Sequence, residues 1–240
     1  VKPHIGVITN IGVAHMESLG SREGIFQAKM EITKHIHGRD GQPGTLVYAG
    51  DSEFLTKERT AGAYHQISVG EKEENDYIIS SVDDFGLDGI KFSLEHEGAA
   101  RQIQLPLPGR HNAVNSAIAV AIGDLLGVSE EEEARGLMAA DLTGNRLKKR
   151  ENGGVCVIDD TYNASPDSMK SALRVLERSS CKGRRVAVLG DMYELGEDSD
   201  QQHFDVGRFA GKLEIDTIIG IGEHAAKICE GAEGGRPQTA

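Results

Sequence analysis

A short apolar segment followed by two carboxylates is the feature that most constrains the fold. Residues 155–158 (Val-Cys-Val-Ile) are typical of a buried strand, because four apolar, mostly β-branched residues are too few for a helix. Asp159 and Asp160 follow where that strand would end, and Ser165 and Pro166 suit the N-cap and first position of a helix. This strand–loop–helix unit predicts an open α/β sheet, in which ligands bind beyond the carboxyl ends of the strands. A pair of acids that only caps or solvates the turn is the alternative.

The same unit recurs through the last third of the chain. Its strand signals and the helices between them lie at residues 155–158, 166–177, 186–189, 201–212 and 217–221. Strand–helix alternation at this spacing predicts parallel βαβ units. Cys156 lies inside the first of these strands, and we interpret it as a small core residue.

The first part of the chain has a different pattern. It contains two short buried-strand signals, a helix capped by Ser21, an alternating segment and a long apolar helix, at residues 5–9, 45–49, 21–32, 77–107 and 113–126. The alternating segment, with Asp88-Gly89 as a hairpin signal, predicts three antiparallel strands. A turn cluster at residues 143–146 and a basic run after it predict a boundary between domains 1–143 and 144–240.

Composition excludes several classes of function. The 240 residues carry a net charge of −12, which argues against binding nucleic acid through a basic surface. The three cysteines are isolated and lack metal-ligand spacing, which is typical of a reducing compartment. No apolar run approaches the roughly 20 residues of a membrane span. We therefore expect a cytoplasmic protein that does not insert into membranes.

Five motifs resemble those of the Mur ligases. They are Thr9-Asn-Ile-Gly-Val-Ala-His15 with Ala28-Lys29, Gly109-Arg-His-Asn-Ala-Val-Asn115, Gly144-Asn-Arg146, Asp159-Asp-Thr-Tyr-Asn-Ala-Ser-Pro, and Leu189-Gly-Asp-Met-Tyr-Glu-Leu-Gly196. The last two are similar to one branch, which adds D-Ala-D-Ala to UDP-MurNAc-tripeptide in peptidoglycan synthesis. The resemblance implies an α/β fold: part of a P-loop-type central ATPase domain with an antiparallel β excursion, followed by a partial Rossmann-like parallel-sheet domain.

The resemblance also implies a reaction. ATP would phosphorylate the tripeptide carboxylate, and the amine of D-Ala-D-Ala would attack the acyl phosphate, with Mg²⁺ neutralising charge. The chain contains no G-x-x-G-K-S/T phosphate loop. We therefore expect a piece of a longer ligase that is inactive alone and binds ATP weakly or not at all.

Two residues near the first strand are implied as metal ligands. His15 would supply one imidazole nitrogen to Mg²⁺. Lys29, as an anionic carbamate formed with CO₂, would help to hold the same ion. Carbamylation needs a neutral amine, and so requires burial or nearby positive charge. A hydrogen-bonded loop histidine and a solvated helix lysine are the alternatives.

The resemblance implies a nucleotide site shared between the two parts. Asn115 would lie near adenine with His111 and Asn112 beside it, although helix capping by Asn112 is an alternative. Arg146 would reach the γ-phosphate, or else form a surface salt bridge. Asp160, rather than Asp159, would accept from the ribose hydroxyls.

The incoming dipeptide is expected at strand ends in the second part, among Tyr162, Asn163, Asp191 and Glu194, one of whose acids would hold its ammonium group. His203 is interpreted as a helix-surface or capping residue rather than a catalyst. A monomer is expected. A sister ligase, such as another Mur ligase or folylpolyglutamate synthetase, is one alternative function. A non-catalytic nucleotide-binding module is the other.

Overall fold

The computed structural model describes residues 2–13, 16–39 and 41–239. Within these ranges the strands form a six-stranded sheet, then a two-stranded hairpin, then a three-stranded sheet. None of the helices in the described ranges is both long enough and apolar enough to cross a membrane.

The six-stranded sheet is mixed. Its strands, in spatial and chain order, are β1 (Ile5–Ile8), β2 (Thr45–Ala49), β3 (His65–Gly70), β4 (Tyr77–Asp84), β5 (Ile90–His96) and β6 (Ala99–Leu105). β1 to β4 are parallel, and β4 to β6 are antiparallel. The three antiparallel strands predicted from the alternation are confirmed. β3 was not predicted, although the alternation of Gln66, Ile67, Ser68 and Val69 is a strand signal.

Four helices accompany this sheet: α1 (Met16–Leu19), α2 (Arg22–Met30), α3 (His111–Leu126) and α4 (Glu130–Met138). Ser21 caps α2 as predicted, because its hydroxyl accepts from the Gly24 N–H at 3.0 Å. α3 begins two residues earlier than predicted and is followed by Gly127, whose φ of 73° favours a glycine. α3 packs across β2 to β5 and buries its small residues there.

The two-stranded hairpin consists of β7 (Lys148–Asn152) and β8 (Val155–Asp159). The strand predicted after residue 154 is present, but its predicted burial and parallel pairing are wrong. β8 pairs antiparallel with β7 and with no other described strand. Val155 is consequently 62% exposed, and Cys156 is exposed rather than a core residue.

The last sheet is parallel and has the order β11-β10-β9. The remaining elements are α5 (Pro166–Arg178), β9 (Val186–Leu189), α6 (Ser199–Ala210), β10 (Thr217–Gly220), α7 (Ala225–Ala232) and β11 (Gln238–Thr239). The predicted strand–helix alternation is confirmed from α5 onward. α6 and α7 pack closely at Gly207 because glycine has no side chain. A Cβ there would collide with the carbonyl oxygen of Ile228.

A turn of the first sheet contacts the C-terminal end of α5. The Leu87 N–H donates to Oγ of Ser179 at 3.1 Å. Gly86, with a φ of 61°, makes this approach possible, since a Cβ there would lie 2.5 Å from the Ser179 nitrogen. This contact joins the first sheet to α5.

Candidate functional site

Lys29 lies against the loop that follows β1. Its Nζ donates to the carbonyl oxygen of Asn10 at 2.8 Å and to Oδ1 of Asn10 at 3.2 Å. Although the side chain is largely exposed, the loop removes part of its hydration, and this desolvation lowers the pKa of the Lys29 ammonium. A lowered pKa favours the neutral amine that carbamylation requires. His15, the other residue predicted here, lies outside the described residues.

Arg22 also holds this loop, and its role was not predicted from the sequence. One guanidinium nitrogen donates to the carbonyl oxygen of Ile11 at 3.1 Å, and another donates to Glu53 at 2.6 Å. The guanidinium also lies 4.4 Å from the ring centre of Phe54. A cation in the first turn of a helix opposes the helix dipole, and this misplacement was the available signal for a partner elsewhere.

The start of α3 places one amide inward and two side chains at the surface. Nδ2 of the buried Asn112 donates to the carbonyl oxygen of Pro108 at 2.7 Å, so it holds the preceding turn rather than capping the helix. Its Oδ1 accepts from Nδ2 of Asn115 at 3.2 Å. Asn115 and His111 are exposed. Asn112 thereby orients the exposed Asn115 amide.

The segment before β7 is joined to the turn after β8. The guanidinium of Arg146 lies 4.1 Å from the ring centre of Tyr162. The Tyr162 N–H donates to the carbonyl oxygen of Asn145 at 3.2 Å, and the Leu147 N–H donates to Oδ1 of Asp160 at 3.0 Å. The structure thus brings together Arg146, Asp160 and Tyr162, which were predicted from two separate motifs.

The two neighbouring carboxylates of this cluster differ electrostatically. Burial raises the pKa of Asp160, against the opposing effects of the Leu147 N–H and Arg146. The Thr161 hydroxyl, which donates to Asp159 at 2.8 Å, lowers the pKa of Asp159, and Arg150 adds to this effect. Asp159 is therefore engaged within the hairpin, whereas Asp160 holds the backbone at Leu147.

The loop at residues 190–196 reaches both parts of the chain. Asp191 accepts the backbone N–H groups of Glu223 at 2.8 Å and His224 at 3.0 Å, just before α7. The carbonyl oxygen of Glu194 accepts from the Glu17 N–H of α1 at 3.3 Å. An open cavity of about 790 Å³ lies between this loop and α1. Asn163 is exposed in the segment before α5.

His203 is not a surface or capping residue, and that prediction is wrong. The side chain is fully buried beneath the 190–196 loop. Its Nε2 accepts from the Met192 N–H at 2.9 Å. The polar neighbours Gln201 and Gln202 indicated a surface position, whereas His203 lies on the buried face of α6.

Within the described ranges, no group of three or more His, Cys, Asp or Glu side chains could hold a metal ion. Lys29, as a carbamate, is the one predicted metal ligand whose surroundings are described. The donors present in the described residues therefore do not by themselves make a site for Mg²⁺.

The chain matches two family models in order. The first is described as Mur ligase middle domain and matches residues 1–123. The second is described as Mur ligase, glutamate ligase domain, and matches residues 145–240.

Known proteins give consistent similarities. The UDP-N-acetylmuramoyl-tripeptide–D-alanyl-D-alanine ligase of Bacillus subtilis (strain 168) is 36% identical over 231 residues, covering 96% of this chain and 48% of that protein. A crystal structure of MurF from Acinetobacter baumannii has a TM-score of 0.88 at 34% identity, covering 100% of this chain and 51% of the other.

A crystal structure of MurF from Thermotoga maritima in complex with ADP has a TM-score of 0.82 at 26% identity. The similarity covers 100% of this chain and 53% of the Thermotoga maritima chain. The chain spans about half the length of the curated relatives it matches. With a family model covering residues 1–123 and a second covering residues 145–240, the chain belongs to the Mur ligase family.

Proposed function

We propose that this chain is part of an ATP-dependent amide ligase that joins D-Ala-D-Ala to UDP-MurNAc-tripeptide in peptidoglycan synthesis. The observation that carries this assignment is the cluster of Arg146, Tyr162 and Asp160, which assembles two family motifs around one cation and one partly buried carboxylate. The Bacillus subtilis relative, named for the same reaction, supports it.

The reaction would proceed in two steps. The γ-phosphoryl group of ATP is transferred to an oxygen of the tripeptide carboxylate, and ADP leaves. The amine nitrogen of D-Ala-D-Ala then attacks the acyl carbon and loses a proton. Phosphate leaves with the carboxylate oxygen, and an amide bond remains.

Residues of this chain would bind and orient the nucleotide. The permanently charged fork of Arg146 suits the γ-phosphate, and its stacking on Tyr162 limits the positions it adopts. Asp160 would accept from the ribose hydroxyls. Asn115, oriented by Asn112, would contact adenine beside His111.

Magnesium would be the charge-neutralising ion, with His15 and the Lys29 carbamate as ligands. The lowered pKa of Lys29 supports the carbamate, and the oxygen atoms of a carbamate suit Mg²⁺. Since the described residues do not complete a metal site, we assign the metal no step in the reaction.

The dipeptide would bind among Tyr162, Asn163, Asp191 and Glu194. Within this site, Asp191 accepts two backbone hydrogen bonds, and we assign it to holding the loop. Glu194 lies beside the cavity that faces α1 and is our choice for the dipeptide ammonium. We further propose that the ligase is a cytoplasmic monomer.

Amide formation by the full-length ligase containing this chain tests the assignment. The substrates are ATP, UDP-MurNAc-tripeptide and either D-Ala-D-Ala or glutamate. We expect a new amide only with D-Ala-D-Ala. Product with glutamate instead would favour a sister ligase, and no phosphate release with any amine would favour a non-catalytic module. The 240-residue chain alone, which contains no G-x-x-G-K-S/T sequence, is the inactive control.

A further inference from the structure

A fully buried imidazole lies beneath the 190–196 loop. His203 is 0% exposed, and both of its ring nitrogens are engaged. Nε2 accepts from the Met192 backbone N–H at 2.9 Å, and Nδ1 lies 2.7 Å from the carbonyl oxygen of Ser199. Because Nε2 accepts, the ring proton is on Nδ1, which donates to Ser199. The geometry therefore requires one neutral tautomer.

The bond to Met192 fixes the loop at its centre. Met192 and Leu195 are buried, and Asp191 is tied to the backbone before α7. Tyr193, between the fixed residues, is 79% exposed. The inward bonds thus determine where the outward side chains of the loop are presented.

A second histidine continues the same network. The ring of His224 stacks on His203 with 5.2 Å between centroids, and its Nδ1 lies 2.9 Å from Asp200 on α6. The His224 backbone N–H donates to Asp191. The loop is consequently bonded to α6 through one histidine and to the start of α7 through the other.

We propose that His203 is a positioning residue for the incoming dipeptide, a role that rests on the proposed function. An apolar side chain of similar volume would fill the same space, but it would leave the buried Met192 N–H without an acceptor. The imidazole instead sets the backbone position of Met192, and with it that of Tyr193 and Glu194. Its effect on the reaction passes through the loop, without contact with substrate.

Two amide variants separate this role from simple packing. Gln at position 203 places a carbonyl oxygen near the Nε2 position and can accept from Met192. Asn places its amide near the Nδ1 position, where it can donate to Ser199 but cannot reach Met192. In the full-length ligase, we expect H203N to raise the KM for D-Ala-D-Ala about tenfold, with the KM for ATP unchanged. H203Q should have a KM for D-Ala-D-Ala much closer to that of wild type.

Equal increases in the KM values for ATP, tripeptide and dipeptide would overturn the positioning role. Identical kinetics for H203N and H203Q would also overturn it. A direct measurement covers the case in which H203N folds poorly. Nitrogen chemical shifts of the wild-type imidazole, measured on the 240-residue chain, should show a protonated Nδ1 and an unprotonated Nε2. The opposite tautomer would overturn the assignment.

Hydrogen exchange distinguishes failure of this role from failure of the proposed function. In the 240-residue chain, H203N should accelerate exchange of the Met192 amide, while Ile218 in β10 stays protected. Unchanged exchange at Met192 would contradict the positioning role even in an active ligase. A wild-type ligase that rejects D-Ala-D-Ala would contradict the proposed function and the dipeptide assignment, whatever the exchange shows.

Discussion

The guanidinium of Arg146 lies 4.1 Å from the ring centre of Tyr162, so the segment before β7 is tied to the turn after β8 by a cation–π contact. The Tyr162 N–H adds a backbone bond to Asn145 at 3.2 Å. Gly144 allows the approach, since its φ is 70° and the Tyr162 ring packs over it. The ring therefore restrains the cation that we assign to the γ-phosphate.

Removing the Tyr162 ring should weaken the use of ATP by the full-length ligase. An exposed cation–π contact contributes about 0.5–1 kcal/mol, so Tyr162→Ala should lower kcat/KM for ATP by about two- to fivefold. Tyr162→Phe keeps the ring and should retain this value. Steady-state kinetics with varied ATP and saturating dipeptide makes the comparison. A Phe variant as impaired as the Ala variant would show that the hydroxyl, not the ring, is responsible.

Neutralising each of the paired aspartates should change stability in opposite directions. The pKa of Asp160 is raised, so its ionised form is disfavoured in the folded state, and this penalty grows as pH rises through the folded pKa. Asp160→Asn, which can still accept from Leu147, should therefore unfold at a higher urea concentration than wild type at neutral pH. The difference in stability between the variant and wild type should fade as the pH falls towards 3.8, the ordinary pKa of an Asp carboxyl.

Asp159→Asn is the matched control. In the wild-type chain the pKa of Asp159 is lowered, chiefly by the Thr161 hydroxyl, so the folded state favours the carboxylate. The variant should therefore be less stable than wild type at neutral pH. This loss should disappear as pH falls through the depressed pKa. Shifts of the same sign in both variants would contradict the electrostatic difference between the two residues.

The contact between Gly86 and Ser179 can be tested with a pair of glycines. Gly86 and Gly98 both have positive φ, 61° and 78°, so an alanine at either position is strained by about 1–2 kcal/mol. A Cβ at Gly98 has no neighbour within 4 Å, whereas one at Gly86 would lie 2.5 Å from the Ser179 nitrogen. Gly86→Ala should thus cost about 1–3 kcal/mol more than Gly98→Ala in urea unfolding. Equal costs would show that the contact does not constrain the fold.

Local patterns predicted much of this fold. The cap at Ser21 and the three antiparallel strands follow from residues close together in sequence, and they are confirmed. The exposure of β8 was not predictable, because an apolar strand sequence indicates burial whether or not a helix or second sheet covers the strand. The burial of His203 and the contacts of Arg22 were not predicted because they depend on tertiary structure. His203 accepts from the Met192 N–H, and Arg22 donates to the carbonyl oxygen of Ile11 and to Glu53.

Lys29 should react with CO₂ more readily than an exposed lysine nearby. Carbamylation consumes the neutral amine, and the lowered pKa of Lys29 increases that fraction at any pH below its ordinary value of 10.5. Lys34, an exposed lysine paired with Glu31 at 3.0 Å, is the internal control. Trapping of carbamates by O-alkylation, followed by peptide mass spectrometry, should give higher occupancy at Lys29. Equal occupancy at the two lysines would remove the support for a carbamate there.

The transfer of carboxylate oxygen to phosphate tests the central claim most directly. The full-length ligase is supplied with ATP, D-Ala-D-Ala and UDP-MurNAc-tripeptide whose terminal carboxylate carries heavy oxygen. If an acyl phosphate forms, the released inorganic phosphate contains one heavy oxygen for each amide made, and Arg146→Ala lowers both together by about a hundredfold or more. Amide formation that leaves the phosphate unlabelled, or phosphate release without any amide, would contradict the account.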